Sequence, residues 1–250
     1  MSETSLAVPG QAIPGFENIL RMGNRYLVMP MMSIVQHQST AKHKEWKGQE
    51  GKLRNNISGE TTDQILMVIL RADPSRAMFV NPGDRSPACR SDDGLHPRAL
   101  GLRFGQYAIP PDCARCKFAQ WDGQNPPKCN DGLKLLCQDA LSGEQFIVVA
   151  SRTSLRPVRV LLTRLFQKRT PTFGVVVRLK TTEISGDKGA YFVLDPSIEE
   201  WLDEEKAAPY HAQWEALRGV VVDTVEEEGE AATPPVSEEP PSEGDEDIQF

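Results

Sequence analysis

The sequence predicts a mainly β protein with a few helices, an α+β architecture, and three observations carry that prediction. Seven short runs are rich in β-branched and aromatic residues, and only two stretches show the periodicity of an amphipathic helix. Gly and Pro, 19 each, punctuate the chain between them. A chain of 250 residues suffices for one large domain or two small ones. Ile65 to Leu70 is the best apolar run, and its six residues fall far short of the roughly 20 that span a bilayer. The opening Met1-Ser2-Glu3-Thr4-Ser5 lacks the basic-then-apolar shape of a signal peptide, so a soluble, cytoplasmic protein is expected.

Residues 1–24 contain Pro9, Gly10, Pro14, Gly15 and Gly23 without periodicity, so a flexible N-terminal arm is expected. The β-type runs cover 26–35, 64–70, 77–80, 134–139, 145–150, 172–179 and 190–194. Leu141-Ser142-Gly143 separates two of them as a hairpin turn would. One helix is expected over 154–168, with Pro157 in its first turn and Val158, Leu161, Leu162, Leu165 and Phe166 as its apolar stripe. A second is expected from Ser197, where Ser197-Ile198-Glu199-Glu200 reads as a capping box, toward Leu217 with a break at Pro209. Five or more short strands with few helices suit a small barrel or sandwich, and an OB-like barrel over residues 25–222 is the natural candidate.

The five cysteines sharpen that picture. Without a secretion signal, metal ligation or free thiols are the default for Cys89, Cys113, Cys116, Cys129 and Cys137. Cys113-Ala114-Arg115-Cys116 is a CxxC whose tight turn lets two thiolates grip one ion, and Cys129 follows in a polar, Pro-broken loop. Three such thiolates point to a structural zinc, which favours four N or S ligands in a tetrahedron. A redox pair is the alternative, but no βαβ pattern surrounds the motif. Cys137 would complete a compact spacing, yet its strand context suits a small buried hydrophobe; Cys89 lies in a loop free to coordinate, and His96 is an outside candidate. A zinc subdomain of about 85–137 would then be an insertion stapled to the barrel.

Charge divides the chain. Residues 223–250 hold eleven acids (Asp223, Glu226, Glu227, Glu228, Glu230, Glu238, Glu239, Glu243, Asp245, Glu246, Asp247) and no Lys or Arg. Removing eleven from the total of 35 leaves 24 acids against 28 bases, so a body of +4 underlies the overall −7. The tail cannot bury enough apolar surface to offset its ordering entropy, so disorder is expected. Its end, Asp245-Glu246-Asp247-Ile248-Gln249-Phe250, puts two large apolar residues beside a free carboxylate, a combination that suits a shallow apolar pocket ringed by cations.

Within the body, Arg152, Arg156, Arg159, Arg164, Lys168, Arg169, Arg178 and Lys180 fall in a stretch free of acids, with Arg156 and Arg159 on the helix side away from the apolar stripe. Lys42, Lys44, Lys47, Lys52 and Arg54 surround Trp46, and a third group holds Arg98, Arg103, Phe104 and Tyr107. Cations that track phosphates, interleaved with rings that stack on bases, are what a single strand needs. Candidate DNA-binding residues are therefore Lys42, Lys44, Trp46, Lys47, Lys52, Arg54, Arg103, Tyr107, Arg152, Arg156, Arg159, Arg178 and Lys180. Catalytic signatures are missing: the sequence has no Walker A, GxGxxG, HExxH or GxSxG motif, and no enzyme is expected.

The tip resembles that of the bacterial single-stranded DNA-binding proteins, Asp-Asp-Asp-Ile-Pro-Phe, departing from it at Gln249. That resemblance covers six residues and the acidic linker before them. It implies recruitment of replication, recombination and repair enzymes through Asp245, Glu246, Asp247, Ile248 and Phe250. The stretches around Cys89, from Cys113 to Trp121 and at Cys129 also resemble a group of phage and prophage proteins, which favours Cys89 over Cys137 as the fourth ligand. The expectation is a phage-type protein of the host cytoplasm that coats single-stranded DNA, with possible self-association. A zinc-ribbon adaptor that docks an enzyme without binding DNA, and an RNA-binding module, are the other readings.

Overall fold

The computed structural model describes residues 29–80, 87–123, 125–186 and 189–218, side chains of 41 and 42 excepted. The expected arm (1–24), the tail (223–250) with its tip, and the side chain of Lys42 lie outside the described residues.

The chain is mainly β. In order, β1 (Met31–Ile34), helix α1 (His37–Lys42), β2 (Leu53–Asn55) and β3 (Thr61–Thr62) lead into the long β4 (Gln64–Met78). A cysteine-bearing loop follows, holding β5 (Cys89–Ser91), β6 (Arg103–Phe104) and β7 (Tyr107–Ala108). Then come β8 (Cys129–Asp139), β9 (Gln145–Ser151), helix α2 (Leu155–Gln167), β10 (Val175–Gly186), β11 (Gly189–Trp201) and helix α3 (Glu204–Ala216). The main sheet runs β11-β10-β4-β8-β9-β1-β2-β3, with β5 on the far half of β4.

β4 explains the curl. Residues 64–67 pair with β10 on one edge and residues 67–78 with β8 on the other, across an irregularity between Ile69 and Arg71 that bends the strand. The order β10-β4-β8-β9 is a Greek-key return, the fourth strand lying beside the first. Because only Asp63 separates β3 from β4, the pairings also run back on themselves through β9–β1, β1–β2 and β2–β3, of which β9–β1 alone is parallel. The Gln36 amide adds a rung on the other side, donating to the Phe192 carbonyl at 2.7 Å and accepting its N–H at 2.9 Å. Gly51 lies against the same Phe192 ring at φ +82°, where a Cβ would strike the ring.

Both faces of this curled sheet are covered. Inside, Met67, Ile69, Leu135, Cys137, Phe146, Val148, Val177 and Leu179 pack against Val158, Leu161 and Leu165 of α2. Outside, Val68, Leu70, Leu136, Ile147 and Val176 meet Leu202, Tyr210 and Leu217 on and beside α3. Burial on both faces is why 65–70 reads as one apolar run rather than an alternation. No helix among the described residues is long and apolar enough to cross a membrane.

Several expectations held. The 134–139/145–150 hairpin is β8–β9, its turn fixed by the Asp139 carboxylate, which accepts the Leu141 and Ser142 amides at 2.7 and 2.8 Å. The first helix matches 154–168 to within a residue at each end. Others are corrected. Ser197 starts no helix: it pairs with Arg178 inside β11, and Asp203 caps α3 instead by accepting the Lys206 amide. Pro209 does not break α3, which continues to Ala216 with Tyr210 and Leu217 anchored on the barrel. Phe166 leaves the apolar stripe and is 83% exposed, since it is rotated about 100° from Leu165 on a 3.6-residue turn. Run 64–70 and the first two residues of 77–80 are parts of one strand, which ends at Met78.

Candidate nucleic-acid interface and cysteine cluster

Four cysteines share one site. Cys89 and Cys129 lie opposite Met78 on the strands to either side of it, β5 and β8. Cys113 and Cys116 come from a short 3-10 turn that Asp112 opens by accepting the Ala114 amide at 2.8 Å. All four are buried around one small apolar cavity with Met78, Ile109 and Ala119. Burial pushes the Cys89 and Cys113 thiols up and that of Cys129 up to about 12, and the neighbouring cysteines add to each shift. Thiols so placed ionise only if a positive charge arrives to replace the lost water. The four surround one cavity without being drawn into a single coordination sphere: no metal-binding arrangement of three or more His, Cys, Asp or Glu occurs among the described residues.

Cys137 stands elsewhere. It is fully buried in the barrel interior, its thiol aimed at the Leu135 carbonyl at 3.7 Å, and burial raises its pKa. His96 is exposed and its Nδ1 is engaged by Asp93 at 2.7 Å. Aromatic packing covers the cysteine loop: Phe118 meets the edges of Phe104 and Tyr107, and Lys117 closes over the Tyr107 ring at 4.2 Å. Tyr107 also accepts the Lys117 amide through its hydroxyl, so it is committed to this loop.

The cations sort into paired and unpaired. Arg178 makes a two-pronged bond to Glu199, at 2.9 and 2.5 Å, and a third contact to Gln64. This raises the guanidinium pKa and lowers that of the carboxyl. Lys180 lies 3.5 Å from Asp195, and Lys52 lies 3.8 Å from Asp63. Trp46 carries the His43 ring stacked at 4.0 Å and the Arg54 guanidinium at 4.4 Å. The indole of Trp46 is thus already engaged by two neighbours. Lys44, Lys47 and Arg103 are exposed and make no ion pair among the described residues.

No protein-family model, curated protein or solved structure matches the chain.

Helix α2 and the turns at its two ends hold a set of unpaired arginines among the described residues. Arg152, Arg156, Arg159, Arg164 and Arg169 are exposed and make no ion pair among the described residues. Phe166 and Val160, 83% and 46% exposed, stand among them, and Lys168 lies over the half-exposed Trp201 at 5.0 Å. Arg152 and Arg169 bracket the helix at φ +51° and +53°, the two non-glycine residues with positive φ among those described. Sequence reasoning did not single out Phe166, Trp201 or Arg169 as binding residues. Phe166 has the spacing of a core residue, and Trp201 meets Lys168 only in the folded chain.

Proposed function

We propose that this chain is a single-stranded DNA-binding protein without marked sequence preference. It coats exposed strands on an OB-like barrel and recruits replication, recombination or repair enzymes through its acidic tip. The observation that carries the reading is the row of unpaired arginines on α2 with the exposed Phe166 ring among them. That combination offers phosphates a track and a base a stacking partner, at about 1–3 kcal/mol per stacked base. The Greek-key order β10-β4-β8-β9, followed by α2 and the β10–β11 hairpin, supports the OB-like barrel.

Cys89, Cys113, Cys116 and Cys129 would hold a structural zinc. Four thiolates suit a closed tetrahedral site with no place for a water nucleophile, so the ion would staple the loop to β4 and β8 and take no part in chemistry. The fit rests on the donor set: four buried thiols around one cavity.

Titration of fluorescent oligo-dT with intact and tail-deleted protein tests the reading. Binding that weakens steeply with salt is expected, with affinity equal or higher after deletion of residues 245–250 and partner recruitment lost. No binding at low salt by either form overturns it. That result would leave the adaptor reading, which the exposed Leu95, Leu100, Leu102 and Trp121 of the cysteine loop favour. Competition between matched DNA and RNA strands decides the sugar preference.

A further inference from the structure

Building on the DNA-binding reading above, we propose that the last turn of α2 and the neighbouring Trp201 distinguish unpaired strands from duplex DNA, with Phe166 and Trp201 each stacking one unpaired base. Phe166 and Lys168 are two residues apart, about 200° round a 3.6-residue turn, so they leave the helix on opposite flanks. Phe166 is 83% exposed, and no ring or cation closes over it among the described residues. On the other flank the Lys168 ammonium lies 5.0 Å from the centre of the half-exposed Trp201 ring. The fold fixes that indole in place. Trp201 pairs with Val175 at the end of β11, and the next amide, that of Leu202, donates to the Gly174 carbonyl at 2.9 Å. Two rings thus bracket the end of one helix, with Arg164 one turn before Lys168 and Arg169 directly after it.

The charge around them is one-sided. No acid occurs between Gln145 and Thr182. The three acids of β11 are engaged elsewhere: Asp195 faces Lys180 at 3.5 Å, Glu199 holds Arg178, and Glu200 holds Lys206 at 2.5 Å. Arg164, Lys168 and Arg169 have no ion pair among the described residues, so their charge is available to phosphates. Phosphates are accessible in single and double strands alike, so cations alone reward both. The flat faces of bases are covered by their neighbours in a duplex and open only in an unpaired strand. A ring that stacks on a base therefore favours the unpaired strand, and specificity is that difference in affinity. At about tenfold for each ring, the pair supplies a preference of about a hundredfold.

Equilibrium binding of the full-length protein to oligo-dT, to a duplex of the same length and to an abasic strand with the same phosphates tests the assignment. Phe166→Ala and Trp201→Ala should each lose about tenfold on oligo-dT, keep duplex affinity within about twofold and leave the salt slope unchanged. Trp201→Phe should keep most of the oligo-dT affinity, which separates stacking from a disturbed fold. The abasic strand needs no variant: the wild type should bind it as weakly as the double alanine variant binds oligo-dT. Equal losses on oligo-dT and duplex, or ring variants with unchanged oligo-dT affinity, overturn the proposal and leave the DNA-binding reading standing. A wild-type protein that binds neither oligo-dT nor duplex overturns both.

Discussion

Lys134 on β8 holds its ammonium 2.9 Å from the Asp92 carboxylate, with only 8% of the lysine side chain exposed. Asp92 belongs to the loop that follows Cys89, so this buried bond ties the cysteine loop to β8. Burial pushes the Asp92 carboxyl up, but its bond to Lys134 and the charges of Lys134, Arg98 and Arg90 outweigh burial and hold it below the ordinary carboxylate value. A carboxyl so lowered adds stability that is complete above the ordinary range, near pH 4, and is lost as pH falls through the lowered value. Asp92→Ala removes the carboxylate that faces a buried ammonium and should cost about 3 kcal/mol, read by chemical unfolding at pH 7. The difference between wild type and variant should shrink as the pH is taken below about 4.

The cysteines separate by partner. Ser at position 89, 113, 116 or 129 should each lower bound zinc in the purified protein well below one equivalent and loosen the loop. Cys137→Ser should keep the metal, yet lose about 1–3 kcal/mol by burying an extra hydroxyl in the barrel interior. Metal analysis alongside thermal unfolding tells the two effects apart. Full metal in Cys89→Ser would overturn the assignment.

Arg169 occupies the C′ position of α2, where Thr170 donates to Leu165 and glycine is the usual residue. Arg169→Gly should therefore leave stability unchanged or raise it by up to about 1 kcal/mol, since relief of the left-handed strain exceeds the added chain entropy. Oligo-dT affinity should fall at the same time. A variant that gains stability while losing affinity marks a residue retained for binding; unchanged affinity removes Arg169 from the interface.

Paired and unpaired arginines should behave differently toward DNA. Arg156→Ala and Arg159→Ala each remove one phosphate contact and should flatten the slope of log affinity against log salt by about 0.7. Arg178→Ala, whose guanidinium is already held by Glu199, should leave that slope unchanged. Salt titrations of the three variants with one oligonucleotide compare them directly.

Trp46 is a stacking candidate by sequence, and in the fold its indole already carries the His43 ring and the Arg54 guanidinium. Trp46→Phe should keep oligo-dT affinity within about twofold, because an indole already engaged by His43 and Arg54 has less surface to offer a base. A loss of tenfold or more would show that DNA displaces one of the two.

Local chemistry is what the sequence settled. Asp139 and Gly143 make the β8–β9 turn, Val158, Leu161 and Leu165 mark the buried stripe of α2, and the CxxC closes its own turn. Each of these signals lies within a few residues of its effect. Tertiary structure decided what depends on distant partners. Ser197 carries a capping signature, but pairing with Arg178 outweighs it, since a strand buried along a ladder gains more than one helix cap. Arg178 and Lys180 read as free cations until β11 brings Glu199 and Asp195 across from them. Cys89 joins Cys129 because both flank Met78, at residue separations no spacing rule covers. Phe166 keeps core spacing and still faces water, because a helix lying on a curved sheet buries less of its circumference than its apolar residues could fill.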